Sequence, residues 1–127
     1  MKFTLKALPG QYSICKFQTD SILPDWLYQS DFYSITRTSD ELSVVTGQND
    51  IASEDIPCSK EWRIIKVIGP LDFSLVGVIA DISVILKDND ISIFTVSTYD
   101  TDYIMVKEKD LRKSVEALIA NNYNIKD

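Results

Sequence analysis

Apolar and polar positions alternate in short runs through the first half of this chain. Phe3, Leu5 and Ala7 alternate with Lys2, Thr4 and Lys6, a period of two that predicts a half-buried strand over 2–8. Pro9-Gly10 signals a turn and Tyr12 to Phe17 alternates again, so the two runs are expected to form a hairpin or a bent edge strand. Asp20 to Leu27 predicts a short helix or loop, with Pro24 in its first turn and Trp26 as packing anchor. Phe32 to Thr38 is rich in aromatic and β-branched residues and predicts a strand; Ser39-Asp40 turns it, and Glu41 to Thr46 returns as its partner. Gly47 to Asp50 ends that strand, Ile51 to Ile56 has room for a turn of helix, and Pro57-Cys58-Ser59 reads as the boundary between two halves.

The second half carries the stronger pattern. Trp62 to Ile68 alternates as a strand and is stopped by Gly69-Pro70. Leu75, Val78, Ile79, Ile82, Ile85 and Leu86 then recur at helical spacing and give one apolar face. Asp72 or Ser74 is placed to cap the first turn. Asp88-Asn89-Asp90 is the expected stop, with Asn suited to the left-handed conformation. A strand over 91–98, a polar corner at Tyr99-Asp100-Thr101-Asp102 and a strand over 103–107 follow. Asp110 is the candidate cap of a last helix lined by Leu111, Val115, Leu118 and Ile119, closed by Asn121-Asn122. The tail from Tyr123 is an edge strand or frayed.

Composition narrows the classes. The 127 residues suffice for one ordinary domain or two very small ones sharing a core. No apolar run is long enough to span a membrane and Met1 to Thr4 lacks the core of a signal peptide, so a cytoplasmic protein is expected. Nineteen acidic against thirteen basic residues give a net charge of −6, a field that repels nucleic acid and anionic lipid. Cys15 and Cys58 have no paired spacing and read as free thiols, one in a strand and one in a loop. Histidine is absent, which removes the commonest general base and the commonest metal ligand. No metal site and no cofactor is expected.

Three segments, 32–45, 69–78 and 91–106, together resemble the small bacterial tandem ACT-domain proteins, similar to the ACT pairs of aspartokinases and of the eukaryotic cytosolic arginine sensors. The resemblance is strong over 61–119 and looser over 1–31 and 46–60. It implies an α+β fold of two ferredoxin-like βαββαβ units with antiparallel sheets: a degenerate unit over 1–60 and a complete one over 61–127. It also implies an amino acid or similar small ligand held at a unit-to-unit interface, against the loop after the first strand, the start of the first helix and the second strand. Carried onto this chain, those places are Asp72, Phe73, Ser74, Leu75, Val76 and Gly77, then Ser97, Thr98, Tyr99, Asp100, Thr101 and Asp102.

The residues agree with that location on physical grounds. A helix start offers unpaired N–H groups and partial positive charge to a carboxylate. Gly77 allows a close approach, at some cost to the helix. Asp100 and Asp102 can hold an ammonium or guanidinium, and Arg37 in the first hairpin is a candidate for a ligand carboxylate. Each has a blander reading, as a cap, a solvated turn or a surface ion pair.

The expected function is therefore a non-catalytic regulatory module sensing a free amino acid, self-associating as a homodimer through sheet edges or helix faces. An unidentified protein partner would read the change. The alternative is a structural or interaction subunit with a vestigial ligand site. An enzyme is disfavoured: the nearest thing to a catalytic pair is Asp100 with Asp102, and a turn seldom separates two carboxyl pKa values.

Overall fold

In the computed structural model, residues 3–53, 55–69 and 77–126 are described. They form eight strands and two α-helices, a mixed α+β protein. The chain falls into two compact units, Gly10–Trp62 and a discontinuous one made of Met1–Pro9 with Arg63–Asp127. The division expected from the sequence falls after residue 60, with the first strand in the N-terminal half.

The discontinuous unit contains β1 (Thr4–Ala7), the second part of β5 (Cys58–Val67), α1 (Val78–Lys87), β6 (Phe94–Ser97), β7 (Asp102–Lys107), α2 (Leu111–Ala120) and β8 (Asn124–Lys126). β7 pairs with both β5 and β6, and β1 lies antiparallel to β5 and parallel to β8. Alternation explains the placement of β5: Ile65 and Val67 turn into a core formed with Leu5, Ile104 and Val106. Over it lie Ile82, Ile85 and Leu86 of α1, and Ala117 and Leu118 of α2. The apolar spacing seen in sequence is the buried face of α1. In α2 the buried stripe is Ser114, Ala117 and Leu118, so Ile119, expected on that face, is instead 54% exposed.

Helix ends differ from the expected chemistry. Gly77 is not inside α1 but at its N-cap, with φ +88°, and as a glycine it offers no side-chain cap of its own. The expected caps, Asp72 and Ser74, lie outside the described residues. At the far end the left-handed residue is Asp90, with φ +60°, whereas Asn89 sends its side-chain amide to the Ile85 carbonyl at 2.9 Å. Asp110 holds the N-cap position of α2 without a side-chain cap bond; Ser114 Oγ donates back to its carbonyl at 2.7 Å. Asn122, with φ +74°, closes α2 as expected. The tail is β8, not a frayed end.

The Gly10–Trp62 unit orders its strands β3 (Ser34–Arg37), β4 (Leu42–Gly47), β2 (Tyr12–Phe17) and β5 as far as Trp62. The expected hairpin of β1 with β2 does not form. β2 pairs with β4 and β5, and Pro9-Gly10, with Gly10 at φ +91°, is where the chain passes between units. Leu27, Leu42, Val44 and Trp62 are buried in this unit. A 3-10 turn occupies Asp25–Gln29; its buried anchor is Leu27 and not Trp26, which is half-buried. A second 3-10 turn covers Gln48–Asp50, and the described residues over 51–56 are not helical.

Pro57-Cys58-Ser59, read as a boundary, leads straight into β5, and the two cysteines are not free thiols. Cys15 and Cys58 are directly opposed partners on β2 and β5 and form a disulfide, across 43 positions of sequence. No local spacing rule links residues so far apart; only the strand pairing does. Beyond them Ile14 faces Ser59 and Tyr12 faces Trp62, so β5 holds one residue more than β2 over this stretch. That extra residue is a β-bulge at Lys60-Glu61, and Glu61 takes φ +65° while its N–H donates to Gln48 Oε1 at 2.6 Å.

Candidate functional site

The β6–β7 corner is built from hydroxyl side chains. Thr98 N–H donates to the Thr101 carbonyl at 2.8 Å, which places the turn at Thr98–Thr101, one residue earlier than the sequence suggested. The Thr98 hydroxyl adds a bond to the same carbonyl at 3.1 Å and accepts one from Thr101 N–H at 3.4 Å. Ser97 Oγ donates to Asp102 Oδ1 at 2.6 Å across the last strand pair, where the two residues are register partners. Thr101 is buried, and its hydroxyl donates to the Val67 carbonyl at 2.5 Å. The corner is thereby fixed to the end of β5, the strand that precedes α1 in the chain. Tyr99, 80% exposed, and Asp100 form its tip.

The first hairpin repeats this closure. Thr38 N–H donates to the Glu41 carbonyl at 2.8 Å, and the Thr38 hydroxyl accepts from Asp40 N–H at 3.1 Å and Glu41 N–H at 3.0 Å. A threonine at the first corner position supplies the acceptor that the turn's amides need. Sequence reading had seen two polar corners, but residue identity between them was too slight to show a shared motif.

Of the expected ligand residues, Ser97, Thr98, Thr101 and Asp102 are brought together, with Tyr99 and Asp100 beside them. Asp72, Phe73, Ser74, Leu75 and Val76 lie outside the described residues. Gly77 has open space around the position a Cβ would take, so its left-handed backbone, not tight packing, requires glycine. Arg37 belongs to the Gly10–Trp62 unit, where it is exposed and donates to the Ser21 carbonyl at 2.9 Å.

Two features went unseen in the sequence. Tyr123, at the start of the tail expected to be an edge strand or frayed, is buried in the core and donates its hydroxyl to Asp81 Oδ2, in the first turn of α1, at 2.5 Å. Burial, and secondly that bond to a carboxylate, raise its pKa well above the ordinary tyrosine value. Within the Gly10–Trp62 unit an open cleft of about 820 Å³ is lined by 16–20 at the end of β2, by Asp40 at the first corner and by Asp55, Ile56 and Pro57. Among the described residues no cluster of His, Cys, Asp or Glu is arranged to hold a metal, and no helix is long and apolar enough to cross a membrane.

An ACT-domain family model matches residues 58–120, and a separate N-terminal-domain model matches 10–54. The chain belongs to the ACT-domain proteins. It is 33% identical to protein Atu0741 from Agrobacterium tumefaciens, with 99% of this chain and 93% of that one aligned and a TM-score of 0.92. It is also similar in fold to VC0802 from Vibrio cholerae, at 19% identity, coverage of 92% and 88%, and a TM-score of 0.75. The ligand-free regulatory subunit of aspartate kinase from Thermus thermophilus is a third, at 11% identity, coverage of 94% and 98%, and a TM-score of 0.67. No curated protein matches the chain in sequence.

Proposed function

We propose that this protein is a non-catalytic regulatory module that senses a free amino acid through the corner of its ACT domain and the start of α1, and that it works as a homodimer. The family and the regulatory neighbours support a module of this class. The observation that carries the reading is the Thr101–Val67 bond, which holds the corner rigidly against the end of β5. Asp102 uses one acceptor site on Ser97 and keeps others for an ammonium group. The first turn of α1 begins at a glycine with open space beside it, and the free N–H groups of a helix start suit a carboxylate. Both halves of a zwitterion thus have a counterpart in one unit. Both tandem units being ferredoxin-like, the first degenerate, is part of the same proposal.

The test is a thermal-shift screen of the purified protein against the standard amino acids, nucleotides and common metabolites. Binding to the folded state at a hundred times Kd adds about 2.7 kcal/mol of stability, a shift of several degrees. One amino acid is expected to give it, with the shift lost in Asp102→Ala and in Asp72→Ala. A flat screen at millimolar ligand would overturn the reading. It would favour an interaction subunit instead, for which the half-exposed Val84 and Ile119 on the helices of the ACT unit are the supporting observation.

A further inference from the structure

The amino-acid reading makes no use of the disulfide or of the cleft in the Gly10–Trp62 unit. The two adjoin. On β2, Cys15 is followed by Lys16 and Phe17, and on the other strand Cys58 is preceded by Pro57 and Ile56; all four of those neighbours line the cleft. Lys16 N–H donates to the Pro57 carbonyl at 3.0 Å. Proline has no N–H, so the bond that an antiparallel pair normally returns cannot form. Three residues further along β5, the bulge at Lys60-Glu61 interrupts the ladder again. Among the described residues, one backbone hydrogen bond and one disulfide therefore hold the 55–57 wall of the cleft onto β2.

We infer that Cys15–Cys58 is a thiol–disulfide exchange site, and that its reduction releases the 55–57 wall and opens the cleft. The reductant is a small dithiol or a thioredoxin-type protein dithiol. Cys15 is 2% exposed while Cys58 is half-buried, so the incoming thiolate reaches Cys58 Sγ. Attack forms a mixed disulfide there, and Cys15 leaves as a thiolate that takes up a proton. The second thiol of the reductant, as thiolate, then attacks its own sulfur in the mixed disulfide and releases Cys58, which is protonated in turn. Two electrons and two protons pass from the dithiol to the protein. Reoxidation by a disulfide such as oxidised glutathione runs the same exchange in reverse.

The experiment uses the full chain, oxidised with oxidised glutathione or reduced with dithiothreitol, and reads amide hydrogen exchange together with iodoacetamide labelling. In the oxidised protein neither cysteine is expected to label; after reduction, both do, Cys58 faster. Exchange at the Lys16 amide and over 55–58 is expected to rise at least about tenfold on reduction, while α1 and α2 amides stay unchanged. Cys58→Ser held under oxidised conditions reproduces the reduced pattern at Lys16 and separates loss of the bond from any effect of the reductant. Labelling of both cysteines in the oxidised protein would overturn the inference. So would equal exchange at Lys16 in both states, or a rise spread over α1 and α2, which would make the disulfide a global staple and not a local latch.

Discussion

The hydroxyl of Thr101 donates to the carbonyl of Val67 across 34 positions of sequence, and the bond is buried. It ties the corner that carries Ser97 and Asp102 to the strand that comes before α1 in the chain. Replacing Thr101 by Val keeps the shape and removes the donor, leaving the Val67 carbonyl short of a partner. The expected cost is about 1–3 kcal/mol. Urea unfolding of Thr101→Val beside Thr101→Ser, which keeps the hydroxyl, measures it; equal stability of Val and wild type would contradict the role given to this bond.

Tyr123 predicts how stability falls in alkali. Its raised pKa, caused first by burial and then by Asp81, means the folded protein keeps the phenol proton after the unfolded chain has lost it. The stabilising contribution is therefore complete below the ordinary tyrosine pKa of about 10 and declines as pH rises beyond it, by at most about 1.4 kcal/mol per pH unit for each such group. Tyr12, raised by burial and by the charges of Asp31 and Asp50, acts in the same direction. Tyr123→Phe is expected to be less stable at pH 7, yet to lose less stability between pH 9 and roughly pH 11. Parallel pH profiles for the two proteins would show that the Tyr123 pKa is not raised.

Two residues at positive φ give opposite predictions. Glu61 carries a side chain where the bulge requires the left-handed region, so Glu61→Gly is expected to raise stability by about 0.5–1 kcal/mol. Gly77 already has the residue its backbone needs, and a Cβ there would meet nothing, so Gly77→Ala isolates the conformational cost: a loss of about 1–2 kcal/mol. Denaturant midpoints at unchanged m-value are the readout. A gain from Gly77→Ala would place the glycine in an ordinary helical turn.

Ser13 is fully buried on β2, and among the described residues its hydroxyl has no hydrogen-bond partner. Ser13→Ala removes an unpaired polar group at little cost in packing, so it is expected to be neutral or up to about 1 kcal/mol stabilising. A clear loss of stability would reveal a bound water that the hydroxyl serves.

What the sequence conveyed and what it withheld divide by range. The two-residue period of Ile65 and Val67 and the helical period through Ile82, Ile85 and Leu86 are local, and both elements stand where they were expected. The corner was legible to within one residue because turn residues mark themselves. Whatever depends on a distant partner was not legible: Cys15 with Cys58, Thr101 with Val67, Tyr123 with Asp81. The bulge at Glu61 escaped too, since nothing in Lys-Glu-Trp announces a left-handed residue. The first strand was assigned to the wrong neighbour because alternation says which face is buried and not which strand covers the edge.

Leu5 pairs with Val67 on one side of its strand and with Ile125 on the other. In chain order β1 precedes both of its neighbours, β5 and β8. The intervening segment 10–62 has buried residues of its own, Leu27, Leu42 and Val44, and shares β5 with the other unit, so β2, β3 and β4 can form while β1 waits. The ACT unit thus closes by capturing a strand synthesised before either partner, an ordering step with a large loop to bridge and a correspondingly slow rate. Until it is captured, that strand has two open edges, along which the folding chain is exposed to mispairing with another copy.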